Sequence, residues 1–315
     1  MPPSLSLIIV TWNSAAHLPR CLDSLRVQSY KDFELLLIDN GSSDGAVDGI
    51  EEKYPELDIT VKKLQKNTGF AYANNLGAQM ARGDWLVLLN ADAFPEADWV
   101  ENLVVATEKY PNASFSSRQI QANNPDYLDG EGDLYRLSGF AKRRSYNRPL
   151  SVAEPSPVEI FSPCAAAALY PRDAFLAVGG FDEDFFSYYE DVDLGFRLRL
   201  YGVKSYYLPQ AVVYHVGSAS TGKLSDFSVY YEQRNLLWTY LKNMPSLLLW
   251  PSLPIHIIIS LGFFLKRKPK IMWKAKKDAL KELKKIIAKR KKIQDARLVS
   301  VKEIYDALDK RIFIK

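Results

Sequence analysis

WLVLLNAD, residues 85–92, is an apolar run that breaks off at Asn90, Ala91 and Asp92. A short continuous apolar run marks a strand buried on both faces, and here its far end turns polar. Two earlier runs have the same form. SLIIVT spans residues 6–11, and FELLLI spans residues 33–38 and runs into the turn formers Asp39-Asn40-Gly41-Ser42-Ser43-Asp44-Gly45. Between them Leu18, Cys21, Leu22 and Leu25 recur at helical spacing. A third strand is expected near residues 59–64. Asn67-Thr68-Gly69-Phe70 opens a helix running to about Arg82, with Gly83 as its C-cap. Strands alternating with helices predict an α/β fold, a mostly parallel sheet with helices on both faces. Ligands in such sheets sit beyond the carboxyl ends of the strands, so the polar clusters at 39–44 and 90–92 should line one crevice.

Further along, residues 121–158 are polar and weakly periodic, which predicts a long mobile loop or lid. Structure should resume over residues 158–170. A Gly179-Gly180 turn follows, and then a helix starting near Glu190 with Leu194, Leu198 and Tyr201 on one face. Short strands are expected at 206–208 and 212–214, the second ending in His215, and a helix at 225–243. The chain then divides into a unit at 1–243, with halves at about 1–120 and 158–243, and a tail at 244–315.

The composition narrows the chemistry. With 47% hydrophobic and 25% charged residues the chain can bury a large core. Two cysteines, outside any CxxC pair, make no disulfide framework. No GxGxxG follows a strand, which disfavours a nicotinamide dehydrogenase. The N-terminus lacks a basic n-region and a long apolar core, so cytosolic residence is the expectation.

Polar residues at the strand ends carry the functional signal. Asp39 reads equally as a ligand for a ribose or base imide and as a helix N-cap. Asp92 suits a hard divalent cation bridging two phosphates, or a helix cap. Glu190, Asp191 and Asp193 share the first turn of one helix, which favours acids. Three acids there, preceded by Phe185-Phe186-Ser187-Tyr188-Tyr189, exceed that account, because aromatic surroundings raise a carboxylate's basicity. His215 is left between a metal ligand and a structural histidine; His17 and His256 read as structural.

In the order found, DNGSSDG at 39–45, NTGFAYAN at 67–74, NAD at 90–92, GGFDEDFFSYYEDVDLGFRLR at 179–199 and His215 resemble the inverting glycosyltransferases of family two. Within that family the resemblance is nearest to bacterial rhamnosyltransferase-like members, which elongate polyprenol-linked cell-surface glycans, and it covers roughly residues 4–243. The resemblance implies the GT-A fold and a divalent metal, Mn2+ or Mg2+. By it, Asp39 binds the nucleobase with Thr11 and Asn13 nearby. Asn67 and Gly69 shape the nucleoside pocket, and Asn74 faces it. Asp92 matches the last acid of the DXD metal motif, whose first acid is here Asn90, so His215 becomes a further ligand. Asp191 matches the ED motif as general base, with Glu190 beside it. Asp193 and Tyr189 are expected to meet the acceptor, and Arg234 the diphosphate. The implied donor is dTDP-rhamnose or a UDP-sugar, and the implied acceptor a polyprenol-diphosphate oligosaccharide. The alternatives are a sugar nucleotidyltransferase, against which TWNSAAHLPR at 11–20 lacks a glycine-rich basic loop, and a non-catalytic glycan-assembly scaffold.

The tail is charged unlike the body. Residues 266–292 carry 14 basic and 2 acidic residues, a local +12 within a net charge of +4. Before them, residues 244–265 hold no charge, near the roughly 20 residues that span a bilayer. Pro245, Pro251 and Pro254 argue against one regular helix. A single span would also put the basic stretch on the far side from the body, against the positive-inside tendency. Both arguments favour a re-entrant or interfacial segment. Leu280, Leu283, Ile286 and Ile287 are expected on one face of an amphipathic helix. The expected partner of 244–292 is an anionic membrane surface, at the cytoplasmic face of the plasma membrane, rather than nucleic acid. A second copy of the chain, as a homo-oligomer, is the other cover for the apolar segment.

Overall fold

The computed structural model describes residues 4–217, 225–266 and 268–311. The three apolar runs form strands β1 (Leu5–Thr11), β2 (Phe33–Asp39) and β4 (Trp85–Asn90), with β3 (Ile59–Lys63) at the edge. Their side chains alternate between two cores. Leu7, Ile9, Leu35, Leu37, Val87 and Leu89 pack on one face, and Ile8, Leu36, Ile38, Leu86 and Leu88 on the other. Both faces are covered, so neither needs polar residues. Helices α1 (Leu18–Arg26) and α2 (Ile50–Lys53) cover the first face, and α3 (Phe70–Met80) the second.

Parallel pairing aligns the strand ends. Thr11 pairs with Asp39 and Val10 with Asn90, so the polar clusters flank the end of β1 as expected. Beyond β4 lie β5 (Ala93–Pro95), α4 (Trp99–Lys109) and β6 (Ala113–Gln121). The sheet runs β10-β12-β6-β11-β4-β1-β2-β3, where β10 is Val158–Ile160, β11 is Ala167–Pro171 and β12 is Lys204–His215. Strand β11 is antiparallel to both neighbours, so the sheet is mixed. The two strands expected at 206–208 and 212–214 are one, β12, with a register shift between Leu208 and Val212. Its last residues pair antiparallel with β5, which sets His215 opposite Ala93 and beside Asp92.

Several expectations need correction. Helix α3 ends at Met80, so Gly83 is not its C-cap; a Cβ at Gly83 would lie 2.7 Å from the Leu5 carbonyl carbon, and the glycine serves close chain approach. Residues 121–158 are not an open loop. They hold β7 (Leu128–Gly130), β8 (Asp133–Tyr135) and β9 (Ala141–Arg143). The polarity that hid these strands is internal: Asp129, Glu131, Asp133 and Arg136 are buried, with Asp129 paired to Arg143 and Glu131 to Arg144.

Downstream come α5 (Arg172–Ala177), α6 (Glu190–Leu200) and α7 (Asp226–Asn243). The apolar segment is one helix, α8 (Ser246–Lys266), with Pro251 and Pro254 inside it. Both prolines lie on its exposed face. The opposite face is fixed. Ser252 Oγ and Tyr240 Oη are 2.7 Å apart, and His256 stacks on the Tyr240 ring while its Nδ1 donates to the Ser138 carbonyl.

The basic stretch forms α9 (Pro269–Lys281) and α10 (Leu283–Asp295), followed by α11 (Val301–Ala307). The chain breaks at Glu282, so Leu280 and Leu283–Ile287 do not share one helix face. Ile286 turns inward onto Phe185, Trp238 and Ala279, while Leu280, Leu283 and Ile287 stay exposed. Part of the positive charge is also spent internally. Lys285 and Lys289 bond Asp184, Lys289 also bonds Asp182, and Arg290 donates to the Leu241 and Met244 carbonyls at the end of α7. Burial predicts that Ile286→Ala lowers unfolding free energy by about 2–5 kcal/mol. Ile287→Ala should cost below about 1 kcal/mol. Equilibrium denaturation of the two variants measures the difference.

Candidate active site

A cleft opens at the carboxyl ends of β1, β2 and β4, walled by Trp12, Asn40, Asn67, Gly69, Asn90, Asp92 and Phe186. Its near wall rests on Asn40. The Asn40 amide donates to Asn67 Oδ1 (3.1 Å) and the Gly69 carbonyl (3.2 Å), and its Oδ1 accepts from the Thr68 N–H and hydroxyl. Sequence reasoning passed over this residue, although it stands next to Asp39 in the turn. Asn67 Oδ1 also accepts from the Gly69 N–H, so Asn67 shapes the wall. Gly69 has φ +87°, and a Cβ there would lie 2.6 Å from Phe186, which crosses over it. Asn74 does not face the cleft; it is buried and donates to the Phe70 carbonyl of its own helix. Thr11 is likewise buried, with no partner for its hydroxyl, and its neighbour Trp12 reaches the cleft instead. Asp39 Oδ1 accepts from the Ser42 N–H, and Asn13 Oδ1 from the Ser43 N–H, which closes the β2 turn against the β1 loop.

At the cleft floor Asp92 Oδ1 lies 3.4 Å from His215 Nε2, and Asn90 Nδ2 lies 3.4 Å from the same nitrogen. His215 Nδ1 is 2.8 Å from Asp129 Oδ2. Burial lowers the basicity of His215, but Asp129 and Asp92 outweigh it and hold its pKa up at about 9. Burial acts to raise the pKa of Asp92, but the bond and charge of His215, with smaller help from its own backbone N–H and from His17, together bring it below its ordinary value. His17, expected to be structural, also lines this cleft near Asp92. Asp92 and His215 are thus two donors on one side of the cleft that could hold a divalent ion, the imidazole being oriented from behind by a carboxylate. No group of three or more His, Cys, Asp or Glu side chains placed to hold a metal ion occurs among the described residues, in this cleft or outside it.

Phe186 and Ser187 form the far wall, and the chain runs on from them to Asp191. Asp191 is half-buried at the start of α6; its Oδ2 accepts from the Ala165 N–H (3.2 Å) and its Oδ1 from the Val192 N–H (2.8 Å). Burial lifts its pKa above the usual carboxylate range, opposed by those bonds and by Arg143. Glu190 is buried with Oε2 unpartnered. Burial and the neighbouring Asp191 and Asp193 push its pKa well above the ordinary carboxylate value. Asp133, missed because its segment reads as a loop, is raised to about 7 by burial and by Asp191.

Three expected contacts resolve as structural. Asp193 is fully buried, with Oδ1 bonded to Lys242 and Asn243 and Oδ2 to Arg197, so it does not meet an acceptor. Tyr189 commits its hydroxyl to the Ala141 N–H. Arg234 does not reach toward a diphosphate: Nη2 donates to the Asp184 and Phe185 carbonyls, and the guanidinium lies over Trp238. Beside it, Asn235 donates to the carbonyls of Phe185, Ser187 and Tyr188. These two side chains pin a backbone in which Phe186, Tyr188 and Tyr189 all have φ between +64° and +69°, an unfavourable region for side-chain-bearing residues.

The glycosyl transferase family 2 profile matches residues 6–176, more than half of the chain and most of the cleft lining. The chain belongs to glycosyltransferase family 2. An N-acetylglucosaminyl-diphospho-decaprenol L-rhamnosyltransferase from Mycobacterium tuberculosis is 30% identical over 252 residues, 71% of this chain and 79% of that protein. Solved structures share the GT-A fold at lower identity. The S. aureus TarS 1–349 fragment, solved with UDP, has a TM-score of 0.59 at 18% identity over 98% of this chain and 89% of that one. A mannosyltransferase from Pyrobaculum calidifontis, solved with GDP-Man and Mn2+, has a TM-score of 0.57 at 16% identity over 97% and 88%. The protein is thus a glycosyltransferase, and the nucleotidyltransferase and scaffold alternatives lapse. Pinning by Asn235 should be costly to lose. Asn235→Ala is expected to destabilise the enzyme by about 2–4 kcal/mol, since three carbonyls lose a buried donor. A thermal melt beside a turnover assay should show both falling.

Proposed function

We propose that this glycosyltransferase transfers a sugar, with inversion, from a nucleoside-diphosphate donor to a polyprenol-diphosphate-linked glycan at the membrane surface. The arrangement carrying this reading is the oriented pair Asp92 and His215 at the cleft floor, with Asp191 on the chain just past the far wall. dTDP-rhamnose is the favoured donor and a UDP-sugar the second, on the likeness to the mycobacterial rhamnosyltransferase, whose name also supports the lipid-linked acceptor. Asp92 and His215 would hold Mn2+ or Mg2+, which when bound supplies Lewis-acid neutralisation of charge on the leaving diphosphate. Asn90, Asn67, Gly69 and the turn at Asp39 and Asn13 shape the donor side. Asp191 accepts the proton of the acceptor hydroxyl as that oxygen bonds to the anomeric carbon. The bond from that carbon to the diphosphate oxygen breaks on the opposite face, and the configuration inverts. General-base assistance of this kind is worth about 10²–10⁴-fold.

Residues 1–243 would form the catalytic unit and 244–315 the membrane-docking part. Helix α8 is long and apolar enough to span a bilayer, yet its Ser252–His256 face is tied to the soluble core. That supports a helix lying in the interface, with Leu247, Trp250, Ile258 and Leu261, each more than half exposed, toward lipid. The lysines of α9 and α10 not spent on Asp182 and Asp184 add attraction to an anionic leaflet. The cytoplasmic face of the plasma membrane is where nucleotide sugars and such a basic surface would meet.

Asp191→Asn should reduce turnover of dTDP-rhamnose on a synthetic N-acetylglucosaminyl-diphospho-prenol at least about 100-fold while leaving Mn2+-dependent dTDP binding intact. Near-wild-type turnover would remove Asp191 from the base role. Because burial raises Asp191, wild-type activity should fall with acid at a pH above the ordinary carboxylate range. A pH–rate profile reads that limb directly. Trp250→Glu with Leu261→Glu should abolish flotation with anionic liposomes; unchanged flotation would exclude the α8 face as the docking surface.

A further inference from the structure

Arg143, on β9, bonds at once to a residue behind the cleft floor and to a residue beside the Asp191 seat. Its Nη1 lies 3.0 Å from Asp129 Oδ2, the oxygen that also meets His215 Nδ1 at 2.8 Å. Its Nη2 lies 2.9 Å from Cys164 Sγ. The next residue, Ala165, donates its N–H to Asp191 Oδ2. One guanidinium thus braces the carboxylate behind the metal-facing histidine and the segment that seats the base. The chain makes room for it. A Cβ on Gly130 would lie 2.5 Å from Arg143 Cδ and 2.7 Å from Cγ, so that glycine forms the slot for the arginine stem, without a positive φ to require it otherwise.

The charge matters as much as the fork. Asp191 is faced by Asp133 on β8, Arg143 on β9, Cys164, Tyr170 on β11, and its own neighbours Tyr189 and Glu190. Among these Arg143 is the cation. Remove it, and Asp133 and Asp191 repel one another across a buried space without that cation, which favours their protonated forms. A lysine would keep the charge but has no planar fork to hold Asp129 and Cys164 together.

We propose that Arg143 is a positioning residue of the transfer reaction: it orients His215 through Asp129, and it holds Asp191 ionised and in place. This rests on the reading that Asp92 and His215 hold the ion and that Asp191 is the base. The sequence alone does not point to Arg143, because its segment reads as a loop and its partners lie 14 and 21 residues away.

The test uses the full-length enzyme and three variants: Arg143→Gln, Arg143→Lys and Gly130→Ala, the last displacing the arginine without changing charge. The first readout is calorimetric binding of Mn2+ with whichever of dTDP and UDP the wild type takes. A weakening of about 10–100-fold is expected in all three. The second readout is the acid limb of the pH–rate profile for kcat/KM. In Arg143→Gln it should move up by about one pH unit, and in Arg143→Lys much less. Variants that melt like wild type yet keep its Mn2+ affinity and acid limb overturn the proposal. If Asp191→Asn is inactive while the Arg143 variants behave as wild type, only the role of Arg143 falls. If Asp191→Asn is active, or the wild type binds neither nucleotide in a Mn2+-dependent way, the underlying reading falls and takes this inference with it.

Discussion

The backbone at Phe186–Tyr189 is the constraint on which the rest of the molecule depends. Residues with large side chains do not adopt left-handed conformations unless something holds them there. Here α7 does, through Arg234 and Asn235, which between them take the carbonyls of Asp184, Phe185, Ser187 and Tyr188. The strained path lets Phe186 cross Gly69 and wall the donor cleft, its carbonyl accepting the Phe70 N–H at the start of α3. It also delivers Asp191 to the first turn of α6. One wall of the cleft and the proposed base are set by one short segment.

The C-terminal helices act on that same segment. Lys285 and Lys289 reach Asp182 and Asp184 just before it, and Ile286 packs on Phe185. Lys242 bridges Asp182 to the buried Asp193. A tail that looked like an appendage is thus a brace for the segment that walls the cleft. Its basic charge divides in two, one part neutralising the acidic loop and the other facing out beside the apolar side of α8.

The donor half was legible because its signals are local. An apolar run ending in a polar cluster reports a buried strand and its functional end, so Asp39, Asn90 and Asp92 stand where the pattern put them. Residues whose role depends on distant partners were not legible. Asn74 and Asp193 sit in the right motifs, yet one bonds its own helix and the other is enclosed by Lys242, Asn243 and Arg197. Asp133, Arg143 and Asn235 gave no signal at all, because a buried polar network has the composition of a loop until its partners are known.

By itself the sequence determined the alternating strands and helices, the two polar clusters at the strand ends, the ED pair and the charge split of the tail. Hydrophobic periodicity and motif spacing are properties of neighbouring residues along the chain. Only the tertiary structure decided that His215 stands against Asp92, that residues 121–158 place Asp129 behind His215, and that Arg234 braces a loop rather than facing a ligand. Those outcomes depend on how β12 pairs with β5 and how α7 packs under residues 184–188. Such placements follow from long-range packing and the satisfaction of buried hydrogen bonds, which no local stretch encodes.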